Sequence, residues 1–133
     1  MSGSSFDTNV VLYLAASNSG KGTQAEQLIK MGGIISVQVL NESTSVLRRK
    51  NRMPWEDLQA FLARLKRLLD VIPLTLEIHQ SGLRLAERYG FSIYDSFIAA
   101  AALAADCDTL WSEDMQDGML VDGRLRIVNP FRI

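Results

Sequence analysis

Short apolar runs along the chain alternate with segments in which apolar residues recur every three or four positions. The runs are about four residues long and rich in β-branched or large apolar side chains, which is typical of strands buried in a parallel sheet. They predict strands at residues 34–37, 71–74, 109–112 and 125–128, with a further short strand just before Asp7. Pro73 indicates that the strand at 71–74 lies at a sheet edge or ends there, because proline cannot donate a hydrogen bond to the sheet.

The segments between these runs have helical spacing and carry helix start and stop signals. Helices are predicted at residues 10–16, 24–31, 39–50, 54–69, 76–89 and 94–105. Thr8-Asn9 is the expected cap of the first helix, and Thr23 with Glu26 forms a capping box that begins the second after a loop at 17–22. Strands separated by helices imply right-handed βαβ units. The predicted fold class is therefore α/β, a three-layer α/β/α domain over residues 1–133 with a mostly parallel sheet of four to five strands.

Composition agrees with one globular domain. The 133 residues are 47% hydrophobic and 22% charged, with a mean hydropathy of +0.06, which argues against disorder. No window reaches the roughly 18 apolar residues of a membrane span, and the first residues lack the features of a signal peptide. A single cysteine, Cys107, and a single histidine, His79, exclude an internal disulfide and a structural zinc site within one chain. We therefore expect a cytoplasmic protein that does not enter a membrane.

Charge is balanced overall but segregated along the chain. The net charge of −1 does not point to a nucleic-acid binder, whose domains usually lean basic. Residues 48–67 nevertheless hold seven basic and two acidic side chains, whereas residues 106–122 hold six acidic and no basic ones. Either run, taken alone, is explained as a solvated surface.

Four acids fall at the same kind of position, after a predicted strand or at the start of a predicted helix. They are Asp7, Glu42, Asp95 and Asp114. Each of them alone is also explained as a helix cap, a first-turn residue or an ordinary loop acid. Parallel strands, however, direct such positions toward one edge of the sheet, where ligands bind in open α/β folds.

Carboxylates that meet at one edge repel one another and need a neutralising cation. Oxygen ligands without histidine or cysteine favour Mg²⁺ or Mn²⁺ over zinc. Divalent ions held in this way organise the hydrolysis of phosphodiesters. The pattern of acids therefore predicts metal-dependent phosphoryl chemistry.

These acidic segments resemble the motifs of a known family, the PIN-domain nucleases, in order and spacing. The matching segments are Phe6-Asp7-Thr8-Asn9-Val10, Val39-Leu40-Asn41-Glu42, Tyr94-Asp95-Ser96-Phe97-Ile98-Ala99-Ala100-Ala101 and Ser112-Glu113-Asp114. The closing Arg126-Ile127-Val128-Asn129-Pro130-Phe131 is similar to that of the VapC-type toxins within the family. The resemblance covers nearly the whole chain.

The resemblance implies an endoribonuclease dependent on Mg²⁺ or Mn²⁺, inhibited by a cognate VapB-type antitoxin and homodimeric. Carried over by motif, Asp7, Glu42, Asp95 and Asp114 are the expected metal ligands and catalytic residues. Thr8, Asn9 and Ser112 are expected to orient these ligands, and Asp117 to add a water-mediated contact. The basic residues after Glu42 are expected to lead the RNA backbone toward the acids, namely Arg48, Arg49, Lys50 and Arg52.

One departure concerns the beginning of the chain. The family's first strand usually begins with apolar residues directly after Met1, whereas Gly3-Ser4-Ser5 precede Phe6 here. We therefore expect a short and weakly packed first strand, with residues 1–5 disordered or foreign to the natural sequence.

Two other functions remain open from the sequence. A Mg²⁺-dependent α/β phosphatase also begins with an Asp after a strand, but its Asp-x-Asp pattern is broken here by Asn9. A non-catalytic PIN-fold binding module would keep the fold without the chemistry, although all four acids are present. The segment Gly20-Lys21-Gly22-Thr23 fails the phosphate-loop pattern, because position 15 is Ala15 and Gly22 stands where Ser or Thr should follow the lysine.

Overall fold

A six-stranded sheet forms the centre of the computed structural model, which describes residues 3–16 and 19–132. Its strands are β1 (Ser4–Phe6), β2 (Ile34–Ser36), β3 (Asp70–Ile72), β4 (Thr109–Trp111), β5 (Leu120–Val121) and β6 (Leu125–Val128). Their order across the sheet is β3-β2-β1-β4-β6-β5. All neighbouring pairs are parallel except β5 with β6. The predicted α/β class is confirmed, and β3 lies at an edge, as Pro73 indicated.

The strand count of four to five is wrong by one strand. The missed strand, β5, is only two residues long and returns antiparallel along β6 through a turn with Asp122 and Gly123 at positive φ. Two residues are too short to show the alternation by which a strand is identified in a sequence.

Helices cover both faces of this sheet. They are α1 (Thr8–Leu12, continued by a 3₁₀ turn at Tyr13–Ala15), α2 (Gly20–Lys30), α3 (Val37–Arg49), α4 (Trp55–Leu68), α5 (Leu76–Tyr89) and α6 (Ile93–Ala104). Every predicted helix is present; α5 begins where predicted, and the other five begin one to four residues away from the predicted starts. No helix in the described ranges has the length and apolar character needed to cross a membrane.

Helix caps explain two corrections to the predicted starts. The cap of α1 is Asp7, not Thr8-Asn9, because the Asp7 side chain accepts from the Thr8 amide. Helix α2 begins at Gly20, since the Ser19 hydroxyl accepts from the Gly22 amide, so Thr23 lies within the helix rather than in a capping box. Of the predicted loop at 17–22, positions 17 and 18 lie outside the described residues.

The first strand lies in the middle of the sheet, between β2 and β4. Ser5 and Phe6 are each only 1% exposed. The expectation of a short strand is confirmed, but the expectation of weak packing is wrong, because a central position buries even a three-residue strand from both faces. Ser4 and Ser5 belong to this strand, whereas positions 1 and 2 lie outside the described residues.

Helix α6 packs closely on the sheet and on its neighbour α5. Its residues Ala99, Ala100, Ala101 and Ala102 are buried, as expected of small side chains between a helix and a sheet. On its other side, a Cβ atom at Gly82 of α5 would lie 2.3 Å from a ring carbon of Phe97. The approach of α5 to α6 therefore requires glycine at position 82. This packing fixes the beginning of α6, where Asp95 lies.

Candidate active site

Asp7 is the most constrained of the predicted site residues. It follows β1, caps α1 and is 3% exposed. Its Oδ1 accepts from the Thr8 amide at 2.7 Å, and its Oδ2 accepts from the Ser112 hydroxyl at 2.7 Å and from the Asn9 amide group at 3.2 Å. Because Ser112 directly follows β4, the carboxylate joins the ends of two neighbouring parallel strands.

Glu42 lies on α3 and accepts hydrogen bonds from two side chains, one on α1 and one on α3 itself. The Thr8 hydroxyl donates to its Oε1 at 2.6 Å, and the Gln38 amide group donates to its Oε2 at 2.9 Å. Thr8 therefore touches both acids, through its amide to Asp7 and through its hydroxyl to Glu42. The prediction gave Thr8 a supporting position, and the structure places it between the two carboxylates.

Asp95 lies in the first turn of α6, whose cap is Ser92; the Ser92 hydroxyl accepts from the Asp95 amide at 3.3 Å. Asp114 is exposed in the loop after β4. Besides burial, the charges of neighbouring acids raise two pKa values. Glu42 and Asp114 raise the pKa of Asp95, and Asp95 and Glu42 raise the pKa of Asp7. The charges of Asp7, Glu42 and Asp95 thus act within one group of acids, which Asp114 joins through its effect on Asp95.

Burial adds to this mutual repulsion. Loss of solvent around Asp7 is the largest cause that raises its pKa, to about 6, partly offset by the Ser112 hydrogen bond. Loss of solvent is also the largest cause of the raised pKa of Asp95. Among the residues that the structure describes, none of the four acids forms an ion pair with a basic side chain. Within the described ranges, this negative charge is therefore not neutralised by an ion pair.

The donor set suits a hard divalent cation, although it does not form a closed cage. In the described part of the chain, no three His, Cys, Asp or Glu side chains are arranged to hold a metal ion by themselves. Mg²⁺ fits such a site, because it usually keeps several waters and is bound through one or two carboxylates together with substrate phosphates. The carboxylates that would hold it are Asp7, Glu42, Asp95 and Asp114.

Two further predicted neighbours, Asn9 and Ser112, contact Asp7, whereas the direct contacts of the third, Asp117, are with the end of the chain. Besides donating to Asp7, Asn9 accepts from the Glu113 amide at 3.1 Å, and the Ser112 hydroxyl accepts from the Met115 amide at 3.1 Å. Both therefore fix the loop after β4 against β1. Asp117 instead accepts from the Asn129 amide at 2.7 Å and pairs with Arg132 at 3.1 Å. It ties this loop to the end of the chain.

The predicted basic segment divides into two kinds of residue. Arg48 donates to the Met53 carbonyl at 2.7 Å, and its guanidinium lies 4.1 Å from the centre of the Trp55 ring. Arg48 thus connects α3 to the start of α4. Arg49 is exposed and lines a cavity together with Glu42, whereas Lys50 and Arg52 are exposed beyond the end of α3.

Sequence reasoning missed Gln38, which holds Glu42. Its position four residues before the acid was a usable signal, because residues i and i+4 face each other on a helix. It also missed the group formed by Tyr13, Lys21 and Glu113. Both Tyr13 and Lys21 donate to the Glu113 carboxylate, which braces α2 against the loop after β4. No spacing rule connects these residues along the chain.

The fold and the acids define a class of protein: a three-layer α/β domain with clustered carboxylates at the carboxyl edge of its parallel strands. The family model of the PIN domain matches residues 5–116. The chain therefore belongs to the PIN domain family, and the recognition drawn from its acidic motifs is confirmed.

Solved structures with the same fold include proteins of toxin–antitoxin systems. A toxin–antitoxin complex from Klebsiella pneumoniae matches with a TM-score of 0.74 at 20% identity, over 98% of this chain and 99% of that one. VapC20 of Mycobacterium tuberculosis, described as a sarcin-ricin loop cleaving toxin, matches with a TM-score of 0.68 at 19% identity, over 84% and 89%. VapBC2 from Rickettsia felis, bound to a DNA fragment from its promoter, matches with a TM-score of 0.67 at 20% identity, over 93% and 96%. Among proteins of curated function, none matches this chain.

Proposed function

We propose that this chain is an endoribonuclease whose acidic centre works with Mg²⁺ or Mn²⁺. The observation that carries the proposal is the buried carboxylate of Asp7, whose pKa is raised to about 6 with no basic partner among the described residues. A protein that keeps a buried carboxylate without an ion-pair partner next to two further acids, here Glu42 and Asp95, loses stability unless a cation binds there. Asp7, Glu42, Asp95 and Asp114 are the proposed ligands.

The chain's own contribution is to hold the acids in fixed orientations. Thr8, Asn9 and Ser112 orient both oxygens of Asp7, while Thr8 and Gln38 orient those of Glu42. Such supporting hydrogen bonds keep metal ligands in place and tune them. A bound divalent ion supplies an activated water and stabilises the leaving oxygen of the phosphodiester. We expect hydrolysis to leave a 5′-phosphate and a 3′-hydroxyl.

We also propose that the chain is the toxin of a VapBC-type pair, with a VapB-type antitoxin as its partner, and that it acts as a homodimer in the cytoplasm. The support is the fold shared over nearly the whole chain with toxins solved in such pairs. Growth arrest on induced expression, absent for Asp95→Asn, tests the toxic activity. A monomeric mass in solution would contradict the homodimer.

The nuclease is tested by incubating the purified protein with total cellular RNA and Mg²⁺ or Mn²⁺, followed by mapping of the RNA ends. We expect discrete cuts with 5′-phosphate ends, lost in EDTA and in the Asp95→Asn variant. Absence of cleavage by the folded protein under either metal would contradict the proposal. Cleavage that is unaffected by EDTA would contradict the metal.

The two alternatives left open by the sequence give different results in the same assays. A phosphatase of the phospho-aspartyl kind would form a trapped phosphate on Asp7. The structure gives no support to this, because Asn9, at the position of the second aspartate, donates to Asp7 and cannot act as an acid. A binding module would keep its full toxicity in an Asp7→Asn variant.

A further inference from the structure

A cavity of about 590 Å³ opens beside the acidic centre, between the start of α1, the length of α3 and the start of α6. Its volume lies within the range of ~300–1,000 Å³ that is usual for small-ligand clefts. Thr8 and Glu42 form the wall that it shares with the acids. A group seated in this cavity is therefore directly next to the proposed site of hydrolysis.

One face of α3 lines this cavity along the whole helix. It presents Gln38, Asn41, Glu42, Ser45, Val46 and Arg49. These positions have the three- and four-residue spacing of a single helix face, and the opposite face, with Val39 and Leu47, is buried in the core. Arg49 lies two turns beyond Glu42, about 10 Å along the helix axis. The face thus runs from an acid at the site to a cation at its far end.

Tyr94 forms the other side of the cavity and directly precedes Asp95. It is 61% exposed, which is high for an aromatic residue. The Phe97 ring meets the Tyr94 ring edge-on, with 6.4 Å between their centres, and supports it from within α6. An exposed aromatic ring that a second ring holds in place is suited to stacking against a planar group.

We propose that this cavity is a subsite for one nucleobase of the RNA, next to the bond that is cleaved. Tyr94 stacks on the base, the exposed amide of Asn41 recognises its edge, and Arg49 binds a phosphate beyond it. Sequence-selective recognition of RNA depends on unstacked bases that stack on aromatic side chains and form hydrogen bonds through their edges. The inference rests on the proposed nuclease function and adds to it the residues that select the cleavage sequence.

The test measures binding in EDTA, so that the result does not depend on cleavage. The probe is a labelled pool of random single-stranded RNA octamers; fluorescence anisotropy gives the overall affinity, and sequencing of the bound fraction gives the base preference. For the unsubstituted protein we expect one base to be enriched about fivefold or more at one position. Asn41→Ala is expected to remove most of this enrichment. Tyr94→Ala is expected to lower the affinity about tenfold, the usual size of one lost aromatic stack.

Two controls separate the subsite from general effects on the fold. Tyr94→Phe keeps the ring and should bind like the unsubstituted protein, and Gln59→Ala removes an exposed side chain of α4 outside the cavity. Unchanged affinity in Tyr94→Ala together with unchanged enrichment in Asn41→Ala would overturn the proposal. If these variants behave as expected but the protein cleaves no RNA with either metal, the nuclease proposal fails and the base subsite stands.

Discussion

The acids at the carboxyl edge of the sheet differ in their neighbours from three acids elsewhere on the molecule, Glu113, Asp117 and Asp122. Glu113 pairs with Lys21, Asp117 with Arg132, and Asp122 with Arg84 and Arg88. The pKa of all three carboxyl groups is lowered: the basic partner is the largest cause for Glu113 and Asp122, whereas for Asp117 the Asn129 amide comes first and Arg132 second. Asp7 and Asp95 have no such partner in the described ranges, and their pKa is raised.

The difference indicates which acids serve the fold and which serve the proposed chemistry. A cation next to a surface acid favours its charged form, at little cost because both groups stay near water. Asp7 and Asp95 instead lie among other acids and lose solvent through burial, so the charged form of each carboxyl group is disfavoured. Glu113 and Asp114 are adjacent in the chain, yet Glu113 forms an ion pair with Lys21, whereas Asp114 forms no ion pair in the described ranges and its charge acts on Asp95.

The sharpest comparison is between Asp114 and Asp117, which lie three residues apart in the same loop. We expect Asp114→Asn to lower the rate of RNA cleavage more than about a hundredfold, because loss of a ligand should exceed the 10–100-fold effects of supporting residues. Its thermal stability should stay close to that of the unsubstituted protein, since Asp114 is exposed. Asp117→Asn should retain cleavage within a few fold. Single-turnover cleavage and thermal unfolding measure the two effects.

The reverse outcome would contradict the assignment of these two residues. If Asp117→Asn abolished cleavage and Asp114→Asn did not, the acid that pairs with Arg132 would belong to the reaction. The division between paired and unpaired acids would then fail as a guide to function.

The pH dependence of stability offers a second comparison, centred on Asp7. Its folded pKa of about 6 lies above the ordinary 3.8, so folding is penalised above about pH 6, where the group must ionise in a buried site. The penalty disappears as the pH falls toward about 4, where the group is protonated in both states. Two pKa units correspond to at most about 3 kcal/mol. Asp7→Asn removes this penalty, but asparagine accepts less well than the carboxylate from the three donors, so only part of that ~3 kcal/mol is recovered. We expect the variant to stabilise the metal-free protein by about 1–2 kcal/mol at pH 7.5.

This stabilisation should vanish near pH 4, as followed by denaturant unfolding in EDTA across the pH range. Added Mg²⁺ should raise the melting temperature of the unsubstituted protein and not that of Asp7→Asn, because ligands stabilise only the state that binds them. A difference between the two proteins that does not change with pH would show that hydrogen bonding, not charge, dominates at Asp7.

Among the basic residues, Arg49 and Arg48 form the third comparison. Arg49 is exposed at the cavity, whereas Arg48 is engaged with Met53 and Trp55. We expect Arg49→Gln to weaken RNA binding several fold and to reduce the slope of log affinity against log salt by about 0.7, the value for one phosphate contact on a single strand. Arg48→Gln should leave that slope unchanged and lower stability by about 1 kcal/mol through loss of the contact with the ring. Equal slopes for all three proteins would remove Arg49 from the RNA path.

Much of this arrangement is predictable because it follows from chain-local rules. Alternation of apolar runs and helical spacing predicts the five strands and the helices, and the parallel topology then gathers acids from separate segments. The features that the sequence did not predict depend on single contacts. The short strand β5 depends on a turn, and the start of α2 depends on the Ser19 hydroxyl.

The site shows the same limit. The acids of the proposed site were predictable from their positions after strands or at helix starts, whereas the ion pairs of the other acids were not. Asp114 and Asp117 have the same charge and lie in the same acidic run, and only the fold brings Arg132 to one of them. Gln38 was accessible through its spacing from Glu42, but the contact of Thr8 with Glu42 spans 34 residues and depends on the tertiary structure.

The smallest expected effect concerns Asp122, a paired acid of the opposite pH behaviour. It accepts from Arg84 at 2.9 Å and from the Tyr89 hydroxyl at 3.0 Å, and its pKa is lowered chiefly by the Arg84 contact. A lowered folded pKa contributes stability above about pH 4 and loses it as the pH falls through the folded value. Asparagine tolerates the positive φ of 52° at this position, so Asp122→Asn changes charge with little strain. We expect it to cost ~0.5 kcal/mol at pH 7, as for exposed ion pairs, and progressively less as the pH falls below the ordinary pKa of 3.8. The same unfolding series measures how the change in stability of Asp7→Asn and of Asp122→Asn depends on pH. We expect opposite trends, because Asp7 is buried among acids whereas Asp122 pairs with arginine. Parallel trends would contradict that account.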